Sequence, residues 1–345
     1  MKQIYTDRQT YRPTLFAFTV NQSISQRSLK YVERITNNIL FSENSPLAFK
    51  FVQHFSENGL HFLYYTSWKT LGNMTSSLVE FGGMSRWANR KALVTGCSSG
   101  IGAVIAKDLV RYGVIVIGCA RNVEKIDVLI KECEEAGYKG KLIPYKCDVG
   151  KSSEVEAMFE WLEKQHGGVD ICVNNAGAGS MTPLLDLKGD EMSEILNINV
   201  VGLVLCSNLA VKSMLARNID DGHIINISSM LGHIIIGIMN FYTATKHAVT
   251  ALTKGLRMEL AAKGSRIKVT QISPGRVETN FHPSIFGDAE KGRKFYESVE
   301  SLTPRDVSDA VLHAISAPDN CQIYDIMLQP TNLGSPAAYA TILKP

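Results

Sequence analysis

Lys91-Ala92-Leu93-Val94-Thr95-Gly96-Cys97-Ser98-Ser99-Gly100-Ile101-Gly102 is the stretch that decides the fold of this 345-residue chain. An apolar, strand-like run enters a turn holding three glycines, and a helical pattern begins near Ala103. Glycines let a backbone turn tightly and come close to a bound group, while the helix that follows presents its positive end to an anion. The spacing Gly-x-x-x-Gly-x-Gly differs from the Gly-x-Gly-x-x-Gly of other dinucleotide turns. Its place, after a first strand and before a helix, still predicts a pyrophosphate site.

The rhythm continues downstream. Short β-branched runs recur at Ala92–Thr95, Val114–Cys119, Leu142–Cys147, Val169–Val173, His223–Ile227, Lys268–Ile272 and Gln322–Met327. Helix-like stretches separate them at Val123–Ala136, Glu154–His166, Glu191–Arg217 and Thr243–Lys263. Strands alternating with helical crossovers predict a seven-stranded parallel sheet covered on both faces, the doubly wound α/β (Rossmann) class.

Residues 1–83 are unlike the rest. They hold 14 of the 28 aromatic residues, only two alanines, and eight Lys or Arg against five Asp or Glu. No helical or strand period persists across them. We therefore expect three parts: an extension at 1–83, one α/β domain at 84–335, and a tail at 336–345. The extension reads as an artefact of the assumed start, a targeting leader or a lineage-specific addition. Its Asn21-Gln22-Ser23 and Asn73-Met74-Thr75 match glycosylation sequons by chance.

Charge and cysteine content narrow the functional classes. With 20% charged residues and a net charge of +3, the chain has no bulk electrostatic pull on nucleic acid. No apolar run approaches the length of a membrane span, and the first residues do not read as a secretory signal. The expected location is cytoplasmic, or mitochondrial should 1–83 be a leader. Seven cysteines, with no C-x-x-C pair and no histidine partners, read as reduced structural thiols with no metal site.

The second strand run selects the cofactor. A site for NAD places Asp or Glu about 20 residues past the glycines, to bond the ribose hydroxyls. Here Ala120 stands there, followed by Arg121 and Asn122. A guanidinium suits a 2′-phosphate, and the missing carboxylate removes a repulsion, so NADP is expected.

Tyr242 and Lys246 lie four apart on one face of a predicted helix. An ammonium beside a phenol would lower the phenol's pKa and make the pair an acid–base device for a carbonyl or an alcohol.

These pieces, in their order, resemble the short-chain dehydrogenase/reductase family across residues 88–330. The motifs are Thr95-Gly96-x-x-x-Gly100-x-Gly102, Asp148, Asn174-Asn175-Ala176-Gly177, Asn199, Ser229, Tyr242-x-x-x-Lys246 and Pro274-Gly275. The resemblance implies a catalytic tetrad of Asn199, Ser229, Tyr242 and Lys246. Ser229, favoured over its neighbour Ser228 by spacing, would polarise the substrate carbonyl; Tyr242 would transfer the proton. Lys246 would lower the tyrosine pKa and hold the nicotinamide ribose, and Asn199 would position a water linking Lys246 to solvent. It further implies a cofactor cradle of Thr95, Gly96, Ser98, Ser99, Gly100, Ile101, Gly102, Arg121, Asn122, Asp148, Val149, Asn175, Ala176, Gly177, Tyr242, Lys246, Pro274, Gly275, Val277 and Thr279.

Local motifs resemble the animal and insect branch that uses NADP(H) on lipophilic alcohols and ketones, including keto-steroids and isoprenoid alcohols such as farnesol. Met230, Leu231, Ile234, Ile235, Ile236, Ile238 and Met239 give an apolar lining that suits such substrates. A lid is expected over Asn280–Val299, with Phe281, Ile285 and Phe286 facing the pocket. Relatives imply a homodimer or homotetramer. Two other functions compete: a 3-oxoacyl-thioester reductase, with Arg276 and Lys291 forming a basic mouth, and a catalytically silent NADP-binding sensor.

Overall fold

The structure, a computed structural model, describes residues 15–20, 50–56, 59–65 and 82–332. The chain divides into two compact units, Met1–Val79 and Glu80–Pro345. The sequons and the 336–345 tail lie outside the described residues.

In the first unit, β1 (Leu15–Val20), β2 (Lys50–Ser56) and β3 (Gly59–Tyr65) form an antiparallel sheet with β3 in the middle. Each strand is rich in aromatic and β-branched residues, the composition that favours a pleated surface.

The second unit carries the seven-stranded sheet. Its strands are β4 (Lys91–Thr95), β5 (Ile115–Ala120), β6 (Lys141–Lys146), β7 (Ile171–Asn174), β8 (His223–Ile227), β9 (Lys268–Pro274) and β10 (Asp325–Leu328). Their order is β10-β9-β8-β7-β4-β5-β6, and every pairing is parallel. The order reverses between β4 and β7, the switch point where open α/β sheets bind ligands.

Successive side chains alternate between two buried faces. Ala92, Val94 and Val116 join one apolar cluster with Ile105, Leu109, Val311 and Ile315. Leu93 and Ile117 join the other with Val155, Met158, Leu162, Met214 and Leu260. The first face packs against α1 (Gly100–Arg111), α2 (Glu124–Glu135) and α9 (Pro304–Ser316). The second packs against α3 (Ser152–His166), α5 (Leu203–Ala216) and α6 (Asn240–Ala262). Met84 and Trp87, from the 3₁₀ turn Gly82–Trp87, are fully buried in the first cluster.

The predicted helix Glu191–Arg217 is three pieces: α4 (Gly189–Leu196), a π-helical turn (Asn197–Gly202), and α5. Taken together, Gly189–Ala216 is long enough to cross a membrane, and its most apolar 18-residue window has a mean hydropathy of 1.7. No uninterrupted apolar run underlies it, because Asn197, Asn199, Ser207 and Asn208 fall within it. Here the stretch packs inside the fold, where Ile198, Cys206, Ala210 and Met214 are buried among sheet residues.

The lid region forms α7 (Phe281–Phe286) and α8 (Ala289–Glu297), separated by Gly287 at φ +64°. The Asp288 side chain caps α8 by accepting from Glu290 N at 2.9 Å and Lys291 N at 3.1 Å. α9, which the strand–helix rhythm does not predict, starts with a capping box between Thr303 and Asp306 and a proline at its first turn.

Candidate active site

A cavity of about 760 Å³ opens where the C-terminal ends of β4 to β9 meet the lid. Its floor begins at the glycine turn. Gly96 and Gly100 adopt φ of +67° and +59°, the left-handed region that favours glycine. α1 starts at Gly100, and no side chain caps it. Its first-turn N–H groups therefore face the cavity as donors for an anion.

Ser98, Ser99, Gly100 and Ile101 line this end, followed by Arg121 and Asn122 beyond β5, and Asp148 and Val149 beyond β6. Asn175, Ala176, Gly177, Pro274, Gly275, Val277 and Thr279 also line the cavity. Lys125 in the first turn of α2 joins Arg121 there. Its place in the first turn of the helix that follows Arg121 and Asn122 is the signal that could have found it.

Two expected cradle residues do not line the cavity. Thr95 is buried, and its hydroxyl oxygen accepts from Asn175 N at 3.0 Å and Ala176 N at 3.1 Å. Gly102 packs inward, where a Cβ would stand 2.4 Å from Asn175 Nδ2. Both shape the turn from beneath. Asn175 Nδ2 adds the third tie by donating to Thr95 O at 2.9 Å.

At the other end, Ser229, Tyr242 and Lys246 come together. Ser229 follows β8, and its hydroxyl oxygen accepts from Leu231 N at 3.1 Å. Ser229, not Ser228, is the hydroxyl that acts on the Tyr242 phenol. Burial pushes the Tyr242 phenol well above its ordinary range, with Ser229 pulling the other way. Lys246 Nζ donates to Ile227 O at 2.9 Å and stands 5.5 Å from the Tyr242 ring centroid. Burial lowers the Lys246 pKa to about 8.

Burial is the dominant influence on the Tyr242 phenol and favours its protonated form.

Asn199 departs from expectation too. It sits in the π turn, is buried, and does not line the cavity. Its Oδ1 accepts from Ala178 N at 2.8 Å, and its Nδ2 donates to Ala178 O at 2.8 Å and to Thr245 Oγ1 at 3.0 Å. Both amide protons are committed, so the side chain acts as a clamp on Ala178 rather than a donor to water.

Leu231, Ile234, Ile236, Ile238, Met239, Phe281 and Ile285 give the cavity an apolar lining, and Met181, Glu191 and Glu194 line it too. Ile235 instead faces outward, 73% exposed. Phe286 also misses the cavity; it packs within the lid against His282 and Phe295. Met239 holds an unusual left-handed backbone, φ 52° and ψ 35°, directly before α6. Of the two residues expected at a basic mouth, Arg276 lines the cavity, buried with its guanidinium over Phe295, while Lys291 does not line it and lies over Phe286. Among the described residues, no cluster of three or more metal-binding side chains occurs.

Comparison with known proteins places this architecture. The short chain dehydrogenase model matches residues 90–290. The chain is 48% identical to dehydrogenase/reductase SDR family member 11 of Gallus gallus over 251 residues, covering 72% of this chain and 98% of the relative. It is 44% identical to farnesol dehydrogenase of Aedes aegypti over 250 residues, with the same two shares. Among solved structures, the closed form of serine dehydrogenase complexed with NADP+ superposes with a TM-score of 0.65 at 32% identity. That match covers 71% of this chain and 96% of the other. On the strength of the glycine turn, the Ser229–Tyr242–Lys246 grouping and these matches, the chain belongs to the short-chain dehydrogenase/reductase family.

Proposed function

We propose that this protein is an NADP(H)-dependent oxidoreductase acting on lipophilic ketones, aldehydes or the matching alcohols. The observation that carries the reading is the convergence of Ser229, Tyr242 and Lys246 on one cavity that an uncapped helix N-terminus and an apolar pocket share. The relatives, one named for farnesol and one structure holding NADP+, support the cofactor and the substrate class.

NADPH, when bound, supplies the hydride, and NADP+ accepts it in the reverse direction. The uncapped start of α1 would hold the pyrophosphate, and Arg121, Asn122 and Lys125 would hold the 2′-phosphate. Ser229 would donate to the substrate carbonyl oxygen, stabilising the charge that develops there. Tyr242, protonated by burial, would deliver its proton to the same oxygen. Lys246 would hold the ribose and keep positive charge beside the phenol when Tyr242 gives up its proton.

Leu196, Val201, Val204 and Leu215 are each at least 36% exposed along α4, the π turn and α5. Such an apolar surface suits burial against a second copy, which supports a homo-oligomer. The test of function is NADPH oxidation across a panel of steroid, isoprenoid and alkyl ketones, repeated with NADH. Turnover with NADPH on lipophilic carbonyls is expected; an inert protein across the panel overturns the reading.

A further inference from the structure

Gly179 is a glycine without a backbone reason to be one. Its φ is not in the left-handed region. What it requires is space: a Cβ there would stand 2.7 Å from Phe281 Cζ, 3.3 Å from Tyr242 Cδ2 and 3.4 Å from Met239 Cε. The bare Cα is thus a seat for a lid residue, a pocket residue and the proton donor together.

The seat is fixed in place. Ala178, next in the chain, is gripped by Asn199 through both its N–H and its C=O, and Asn199 is tied to α6 through Thr245. Phe281 is fixed from the other side. Its N–H donates to Thr279 Oγ1 at 3.2 Å, and Thr279 N donates to the Tyr296 hydroxyl at 3.2 Å. Between these anchors the Phe281 ring lies 5.4 Å from the Tyr242 ring, tilted by 50°.

We propose that Phe281 is the specificity-determining residue of this enzyme, gauging the bulk that a substrate carries next to its carbonyl. Resting on the carbonyl-reductase reading above, the inference names what that reading leaves open. The ring occupies the wall beside the Tyr242 phenol, so a carbonyl brought to that phenol must present a slim or flat flank to Phe281. Branched flanks compete with the ring for the same volume. Gly179 makes this possible, because any larger residue evicts the ring from its seat.

The test is a double-mutant cycle in the full chain, read as kcat/KM with NADPH for two ketones, one with linear alkyl flanks and one with a tertiary-alkyl flank. Phe281→Ala should shift the ratio of branched to linear by at least about tenfold toward the branched ketone, the size of effect a few methylenes' worth of pocket gives. Phe281→Leu, which keeps an apolar lid, should shift it in the same direction by less. Gly179→Ala should lower kcat/KM for the linear ketone, and Gly179→Ala with Phe281→Ala should recover part of that loss, because the methyl then fills space the ring has left. NADPH binding, followed by its fluorescence, tells a pocket effect from general collapse of the site. An unchanged ratio in both Phe281 variants, or purely additive effects at 179 and 281, overturns the inference while leaving an active reductase. A wild-type protein inert toward every carbonyl overturns the function and the inference together.

Discussion

His282 Nδ1 lies 2.7 Å from the Tyr296 hydroxyl, whose own proton is directed at Val277 O, 2.9 Å away. With that proton committed, the phenol oxygen accepts from Thr279 N and from the imidazole. The His282 ring therefore carries a proton on Nδ1. One hydroxyl so ties both lid helices to the loop after β9.

Burial, reinforced by the nearby Arg276 charge, lowers the His282 pKa to about 4. The unfolded chain takes up this proton near pH 6.5, so the fold is fully supported above that pH and loses support as pH falls toward 4. Buried His223 behaves alike, lowered to about 3. Each histidine should remove on the order of 2 kcal/mol of stability between about pH 7 and about pH 5. Urea melts at several pH values check this, and His282→Gln should flatten the dependence by roughly half.

Asn199→Ala should strand the Ala178 N–H and C=O, two groups that its amide now satisfies. The expected loss is about 2–4 kcal/mol of stability, from two orphaned groups. Asn199→Asp keeps the acceptor for Ala178 N but opposes Ala178 O with a carboxylate, so it should rescue little. Thermal melts and kcat for both variants read this out.

Tyr242→Phe should cut NADPH-linked reduction by roughly 10²–10⁴-fold, the usual worth of a positioned proton donor, with the fold intact. Because Lys246 titrates near 8, reduction should decline as pH rises through about 8, where the ammonium loses its charge. A pH–rate profile of Lys246→Gln that keeps the same descending limb would assign that limb to another group.

Arg121→Asp should invert the coenzyme preference, replacing a guanidinium that suits a 2′-phosphate with a carboxylate that suits ribose hydroxyls. One charge-assisted contact contributes about 1.5–3 kcal/mol, so kcat/KM with NADPH should fall roughly 10–100-fold, with NADH gaining. Steady-state rates with both coenzymes decide it.

Much of this was legible because parallel strands buried on both faces read as short β-branched runs. All seven runs became strands, shifted by at most a few residues. The rest was hidden for identifiable reasons. α9 announced itself only through Thr303, Pro304 and Asp306, a capping signature outside the strand–helix rhythm. The shared helix face of Tyr242 and Lys246 followed from their spacing, but the phenol's raised pKa depends on burial, which spacing does not reveal. Asn199 could be placed in a helix, yet its grip on Ala178 joins residues far apart in sequence. The seat of Phe281 on Gly179 is hidden for the same reason.

The π turn at Asn197–Gly202 has one more consequence. Such a turn accommodates an added residue within a helix, and each residue turns an α-helix by about 100°. The surplus residue therefore sets the angular phase between α4, which borders the cavity with Glu191, Glu194 and Ile195, and α5, which packs on the sheet. Deleting one residue from the turn would preserve every functional side chain in name. It would nonetheless force the helix to choose between facing the pocket and facing the core, so chain length here is as much a part of the active site as any side chain.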